Sequence, residues 1–269
     1  MEKAWDDVAE IPVKGRSTKP RKTGLTMVID KGLGMHQVQD LIRTSGAYID
    51  ILKLTFGTSA LYEKGLLKEK ILTLESSGIE VMPGGTFLEV AVWNGSWEKY
   101  LERTKELGFS CVEVSDGTIE IEAHQRGQII RRAVGLGLKV ITEVGKKDPK
   151  EALPIAAVHS LIRQDVENGA FKVIIEAREA GRGVGIFDAE GNIKQEEVDH
   201  IVAGVEEPDR IIWEAPLKNQ QQELIIRFGP DVNLGNVPPD EVLALEALRR
   251  GLRGDTLKRA YLSARKGKD

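Results

Sequence analysis

The chain has 269 residues, 41% of them hydrophobic and 30% charged, with a formal net charge of −4 and one cysteine. That supplies a core for one large domain or two small ones, and with no run of about 18 apolar residues it excludes a membrane-spanning protein. One cysteine and four scattered histidines (His36, His124, His159, His200) exclude an internal disulfide and zinc motifs of the CxxC or HExxH kind, so a bound metal has to be a hard, oxygen-liganded ion.

The N-terminus, Met-Glu-Lys-Ala-Trp-Asp-Asp, lacks the build of a secretion signal, so a cytoplasmic location is expected. Residues 1–24 show no periodicity and are expected to form an irregular arm. Eight short β-branched runs then alternate with helical stretches. The expected strands are Thr26–Asp30, Ile49–Thr55, Glu80–Met82, Cys111–Ser115, Lys139–Val144, Lys172–Ala177, Arg210–Glu214 and Asp231–Leu234. The expected helices are 35–45, 58–77, 94–107, 119–135, 150–168, 195–203, 217–228 and 238–250, several of them closed by glycines such as Gly78, Gly108 and Gly137.

Eight such units predict an α/β fold, a single (β/α)8 TIM barrel over 25–255, with arm 1–24 and a basic C-terminal tail 256–269. A two-domain dinucleotide-binding chain is disfavoured because Asp30-Lys31-Gly32-Leu33-Gly34 is no GxGxxG. The eight basic residues of 249–269 lack an aromatic platform, and the body carries −12, so no nucleic-acid partner is expected.

Charge follows β-branched bulk at the ends of six or seven strands, where a barrel carries its active site. Period-two alternation puts Ile51 and Lys53 on one face, Ile141, Glu143, Gly145 and Lys147 on another, and Ile174, Glu176 and Arg178 on a third. Converging carboxylates without histidine suit Mg2+, held by Glu113, Glu143 and Glu176, with Asp30, Asp116 and Glu214 as alternates or supporting groups. Lys53, Arg178, Gly235 and Asn236 are expected to bind substrate anions, the last two through backbone N–H groups, and Arg182 to close over the site. The glycine runs 82–86 and 234–240 are candidate phosphate turns. Cys111 opens a strand, away from the mouth. His124 is a minor candidate near the mouth, and His159 and His200 are helix-surface residues.

Five segments, Leu52–Ser59, Met82–Glu89, Val112–Gly117, Glu143–Lys147 and Trp213–Pro216, resemble the phosphosulfolactate synthase family over residues 5 to 255. The resemblance implies Mg2+-dependent addition of sulfite to phosphoenolpyruvate, giving (2R)-O-phospho-3-sulfolactate. It also implies a lysine of Glu-Val-Gly-Lys-Lys as proton donor to C2. Lys147 is chosen over Lys146 because it shares the face of Glu143. Two other readings compete: a barrel lyase or aldolase acting on a phosphorylated oxoacid, with Lys53 or Lys147 forming an imine, and a non-catalytic binding member of the family. A homo-oligomer is expected.

Overall fold

Strands form where β-branched and aliphatic residues alternate between two apolar environments. The computed structural model describes residues 3–266. It contains β1 (Thr26–Asp30), β2 (Ile51–Leu54), β3 (Glu80–Pro83), β4 (Cys111–Val114), β5 (Lys139–Val144), β6 (Lys172–Ile175), β7 (Ile211–Glu214) and β8 (Leu234–Val237). All pair in parallel, in the order β3-β2-β1-β8-β7-β6-β5-β4, which bends the sheet into a nearly closed barrel. Side chains join the two end strands: Val81 N–H donates to Ser110 Oγ at 3.0 Å, and Gly85 N–H to Glu113 Oε1 at 2.8 Å.

Helices cover the outside: α1 (Met35–Ser45), α2 (Lys64–Glu75), α3 (Gly85–Trp93), α4 (Trp97–Leu107), α5 (Ala123–Gly135), α6 (Ile155–Glu167), α7 (Gln195–Ala203), α8 (Lys218–Phe228), α9 (Val242–Arg249) and α10 (Gly254–Lys266). In α1 the buried residues Val38, Leu41 and Ser45 recur at helical spacing, and Gln37 Oε1 accepts Gly34 N–H at 2.9 Å to satisfy the first turn. Helix α4 ends at Gly108, whose φ of 98° favours glycine.

Alternation divides the core. Leu25, Met27, Ile51, Met82, Cys111, Ile141, Ile174 and Ile212 pack inside the barrel. Val28, Leu52, Leu54, Val173, Ile175 and Trp213 face the helices. Burial of each large aliphatic side chain contributes about 1.5–3 kcal/mol. Two residues beyond the inner layer, on the same face, come Lys53, Glu113, Glu143, Glu176 and Glu214, all buried.

The arm crosses the barrel floor. Arg16 pairs with Asp231 at 2.8 Å and Glu246 at 3.2 Å, and Arg21 with Asp50 at 3.0 Å. The eighth strand corrects the expected Asp231–Leu234, because Asp231 is taken by Arg16 and Ser17 and pairing begins at Leu234. Gly84-Gly85, expected as part of a turn, instead opens α3. A Cβ on Gly84 would lie 3.1 Å from Leu54 O, and one on Gly85 2.6 Å from Ser115 Cβ, so these glycines serve close approach. Of the expected tail, residues up to Lys266 belong to α10, and 267–269 lie outside the described residues.

Candidate active site

The charged layer above the apolar interior borders a cavity of about 160 Å³ lined by Lys53, Glu113, Glu143, Glu176, Glu214 and Lys147, with Arg178 and Asn236 also in its wall. Lys53 stands at its centre, its Nζ 2.7 Å from Glu113, 3.4 Å from Glu143 and 3.5 Å from Glu214. Burial alone would strip its proton; the three carboxylates outweigh that and hold Lys53 well above the usual lysine range. An amine favoured in its charged form is poorly suited to forming an imine, which works against that role for Lys53.

Each glutamate is fixed by a different neighbour. Glu113 accepts Gly85 N–H, Glu143 Oε1 accepts Ser115 Oγ–H at 2.8 Å, Glu214 Oε2 accepts Ala177 N–H at 2.9 Å, and Glu176 Oε1 accepts Arg178 N–H at 2.6 Å. Their protonation diverges accordingly. Burial favours the neutral acid throughout, but the Lys53 and Lys147 charges, the neighbouring Glu176 carboxyl and the hydrogen bond from Ser115 hold Glu143 down at about 2. Burial and the charges of Glu143 and Glu214 push Glu176 up to about 11, and burial, with Glu143, takes Glu113 to about 7 against the pull of Lys53. Four carboxyl groups face the two ammonium groups of Lys53 and Lys147, so the cavity holds more acid than cation to balance it.

Oxygens of Glu143, Glu176 and Glu214 lie within 4.8 Å of one another, a set able to hold a metal ion. Glu176 Oε2 is buried and has no hydrogen-bond partner among the described residues. The donors are all hard oxygens, as Mg2+ requires. Of the expected trio, Glu143 and Glu176 belong to this group; Glu113 is drawn to Lys53 and Gly85, and Glu214 takes the third place.

Lys147 lines the cavity, its Nζ donating to Thr86 Oγ1 at 3.0 Å and lying 3.6 Å from Glu89. Lys146 turns away, donating to Asp116 O at 2.6 Å, and borders a separate apolar cavity of about 200 Å³ between β5, β6, α6 and α7. Arg178, at φ 61°, reaches the rim. Asn236 is buried, at φ 54°, with Oδ1 unpartnered.

Several expected residues fall elsewhere. Gly235 is inside β8, where a Cβ would meet Met27 Cε at 2.6 Å, so it belongs to the packed interior and not to an anion turn. Arg182 is exposed beside Gly191 and outside the cavity wall. Asp30 points outward, paired with Lys70 at 2.5 Å and accepting the N–H groups of Gly32 and Leu33 at 2.7 Å. Asp116 binds Arg126 and Lys146. Cys111 is buried in the lower interior, its thiol pushed up by burial. His124 is exposed, and His159 meets His200 O at the surface. The glycine run that reaches the cavity is Gly84-Gly85, followed by Thr86. Thr86, Glu89 and Ser115 are functional neighbours that strand-end reasoning passed over; the run of Ser115 two residues after Glu113 on one face was the available signal for the last.

A family model described as (2R)-phospho-3-sulfolactate synthase (ComA) matches residues 14–255. The chain is 46% identical over 250 residues to a phosphosulfolactate synthase of Methanothermobacter thermautotrophicus, covering 92% of this chain and 96% of the relative. It is 38% identical over 249 residues to a phosphosulfolactate synthase of Bacillus subtilis, again covering 92% and 96%. Among solved structures, 3-hexulose-6-phosphate synthase from Salmonella typhimurium superposes with a TM-score of 0.56 at 14% identity, covering 85% of this chain and all of that one, a likeness of fold alone.

Proposed function

The chain belongs to the phosphosulfolactate synthase family, enzymes that form a carbon–sulfur bond, and from that premise we propose that it adds sulfite to phosphoenolpyruvate with Mg2+, giving (2R)-O-phospho-3-sulfolactate. The observation that carries the reading is the convergence of Glu143, Glu176 and Glu214 on a small cavity whose wall also holds Lys147.

In this reaction the sulfur lone pair of sulfite forms a bond to C3. The C2=C3 π pair moves onto C2 and into the carboxylate, and a proton then closes C2 while the phosphate ester stays intact. Glu143, Glu176 and Glu214 would hold Mg2+, which when bound stabilises charge developing on the substrate carboxylate. Lys147 is the proton donor. Burial tends to lower its pKa, but Glu143, Glu89, Glu176 and Glu113 outweigh burial and raise it, so it meets substrate as an ammonium. Arg178 at the rim and Asn236 in the wall orient the anionic groups of the substrate. Lys53 holds Glu113, Glu143 and Glu214 in place. The apolar layer of Met27, Ile51, Ile141 and Ile174 beneath closes the cavity to water from below.

Mass spectrometry of a reaction with phosphoenolpyruvate, sulfite and Mg2+ is expected to show a sulfonated phospho-acid that disappears with EDTA and returns with excess Mg2+. Absence of that product under all three conditions would refute the reading, and an EDTA-insensitive rate would refute the metal.

A further inference from the structure

Glu89 lies in the second turn of α3, remote from any strand end, yet is 2% exposed. Its Oε2 accepts the backbone N–H groups of Thr118 at 2.8 Å and Ile119 at 2.7 Å, in the loop after β4. Its Oε1 lies 3.4 Å from Ser115 Oγ and 3.6 Å from Lys147 Nζ. Thr86, one turn earlier on the same helix, offers Oγ1 to the same ammonium. The Lys147 stem runs over Gly117, where a Cβ would fall 3.2 Å from Lys147 Cε, and Lys147 N–H donates to Gly117 O at 3.1 Å. One buried carboxylate thus joins α3, the loop that carries the lysine stem, and the ammonium itself.

We propose that Glu89 is the positioning residue of Lys147: together with Thr86 it fixes the ammonium in the cavity wall, and its negative charge keeps the proton there until it is delivered. This rests on the reading of Lys147 as proton donor. The carboxylates facing Lys147 are Glu143 from β5, the strand before it, Glu89 from α3, Glu176 following β6 and Glu113 from β4; beside them stands the Lys146–Asp116 pair. Glu89 is the one within salt-bridge distance. A loop staple without influence on the lysine would use only the contacts to Thr118 and Ile119, and Glu89→Gln separates the two roles because the amide oxygen still accepts those N–H groups while the charge is gone.

The test follows Lys147 directly, by competitive acetylation across pH with peptide mass spectrometry, in wild type and Glu89→Gln with Mg2+ present, alongside the pH profile of kcat. Removing a charge at this distance is expected to lower the apparent pKa of Lys147 by about one unit or more. The alkaline limb of kcat should move down with it and kcat near neutrality fall about tenfold, with KM for phosphoenolpyruvate unchanged. An unshifted labelling profile in folded Glu89→Gln overturns the proposal. Should that variant fail to fold, Thr86→Val carries the same measurement, with a smaller shift in the same direction expected and no shift overturning it. A labelling shift without movement of the kcat limb supports the positioning role and refutes Lys147 as the donor, so the two ideas fail separately.

Discussion

The two ends of the barrel use the same charged residue types and put them to opposite ends. At the floor, Arg16 has Asp231 and Glu246, Arg21 has Asp50, and Lys139 has Glu80, while buried Arg249 spends its donors on the carbonyls of Pro230, Val232 and Leu25. Each of these cations reaches acceptors, although Arg16 Nη2 and Arg249 Nε stay unpartnered among the described residues and Glu246 also takes Arg250. At the mouth, Glu113, Glu143 and Glu214 share Lys53, and among the described residues Glu176 has no ammonium of its own within salt-bridge reach. Balanced pairs satisfy a fold, whereas surplus carboxylate around a cavity leaves electrostatic work for something that binds.

The comparison breaks if mouth substitutions act on stability and floor substitutions on rate. The largest effect is expected for Lys147→Ala, which should lower kcat about 10²–10⁴-fold, the usual contribution of a general acid, while the denaturant midpoint stays at the wild-type value; a wild-type kcat would remove Lys147 from the chemistry. Arg16→Ala should do the reverse. Loss of a buried pair is expected to destabilise by about 3 kcal/mol in chemical unfolding, because Glu246 and Asp231 lose their buried partner, with kcat of the folded protein unchanged. A drop in kcat larger than the unfolded fraction would tie floor to mouth. The smallest effect belongs to Cys111: buried in the interior, with its thiol pushed up by burial and by Glu80, it should resist alkylation at mildly alkaline pH until the protein is unfolded. Labelling of native protein at the unfolded rate would show that the interior between floor and mouth is open.

Periodicity revealed the barrel because alternation is a local signal. β1 and β5 occupy the expected residues, and so do α1 and α7. The misreadings arose where a residue's local preference was overridden by what lies across the barrel. Gly84, Gly85, Gly235 and Asn236 have turn-forming chemistry, yet the first two open a helix and the others extend a strand, because Leu54, Ser115 and Met27 press too closely for larger side chains at the three glycines. In the site, alternation correctly grouped Lys53, Glu143, Glu176 and Lys147 at the cavity. It had no means of sensing that Lys53 would sit among carboxylates, since that depends on four strands far apart in the chain. Glu89 closes the segment Met82–Glu89, yet it lies on a helix, where period-two alternation says nothing about which way a side chain points. Asp30 shows the converse, a strand-end acid whose parity already pointed it outward toward Lys70.

Where β3 meets β4, the barrel closes partly through Glu113, which accepts Gly85 N–H with one oxygen and Lys53 with the other. The same carboxyl, poised near neutrality, is thus both a clasp on the wall and a member of the cavity's charge balance. A proton gained there weakens the attraction to Lys53 and the hydrogen bond accepted from Gly85 N–H together. The carboxyl that fastens the last pair of strands is therefore also one whose charge the cavity sets.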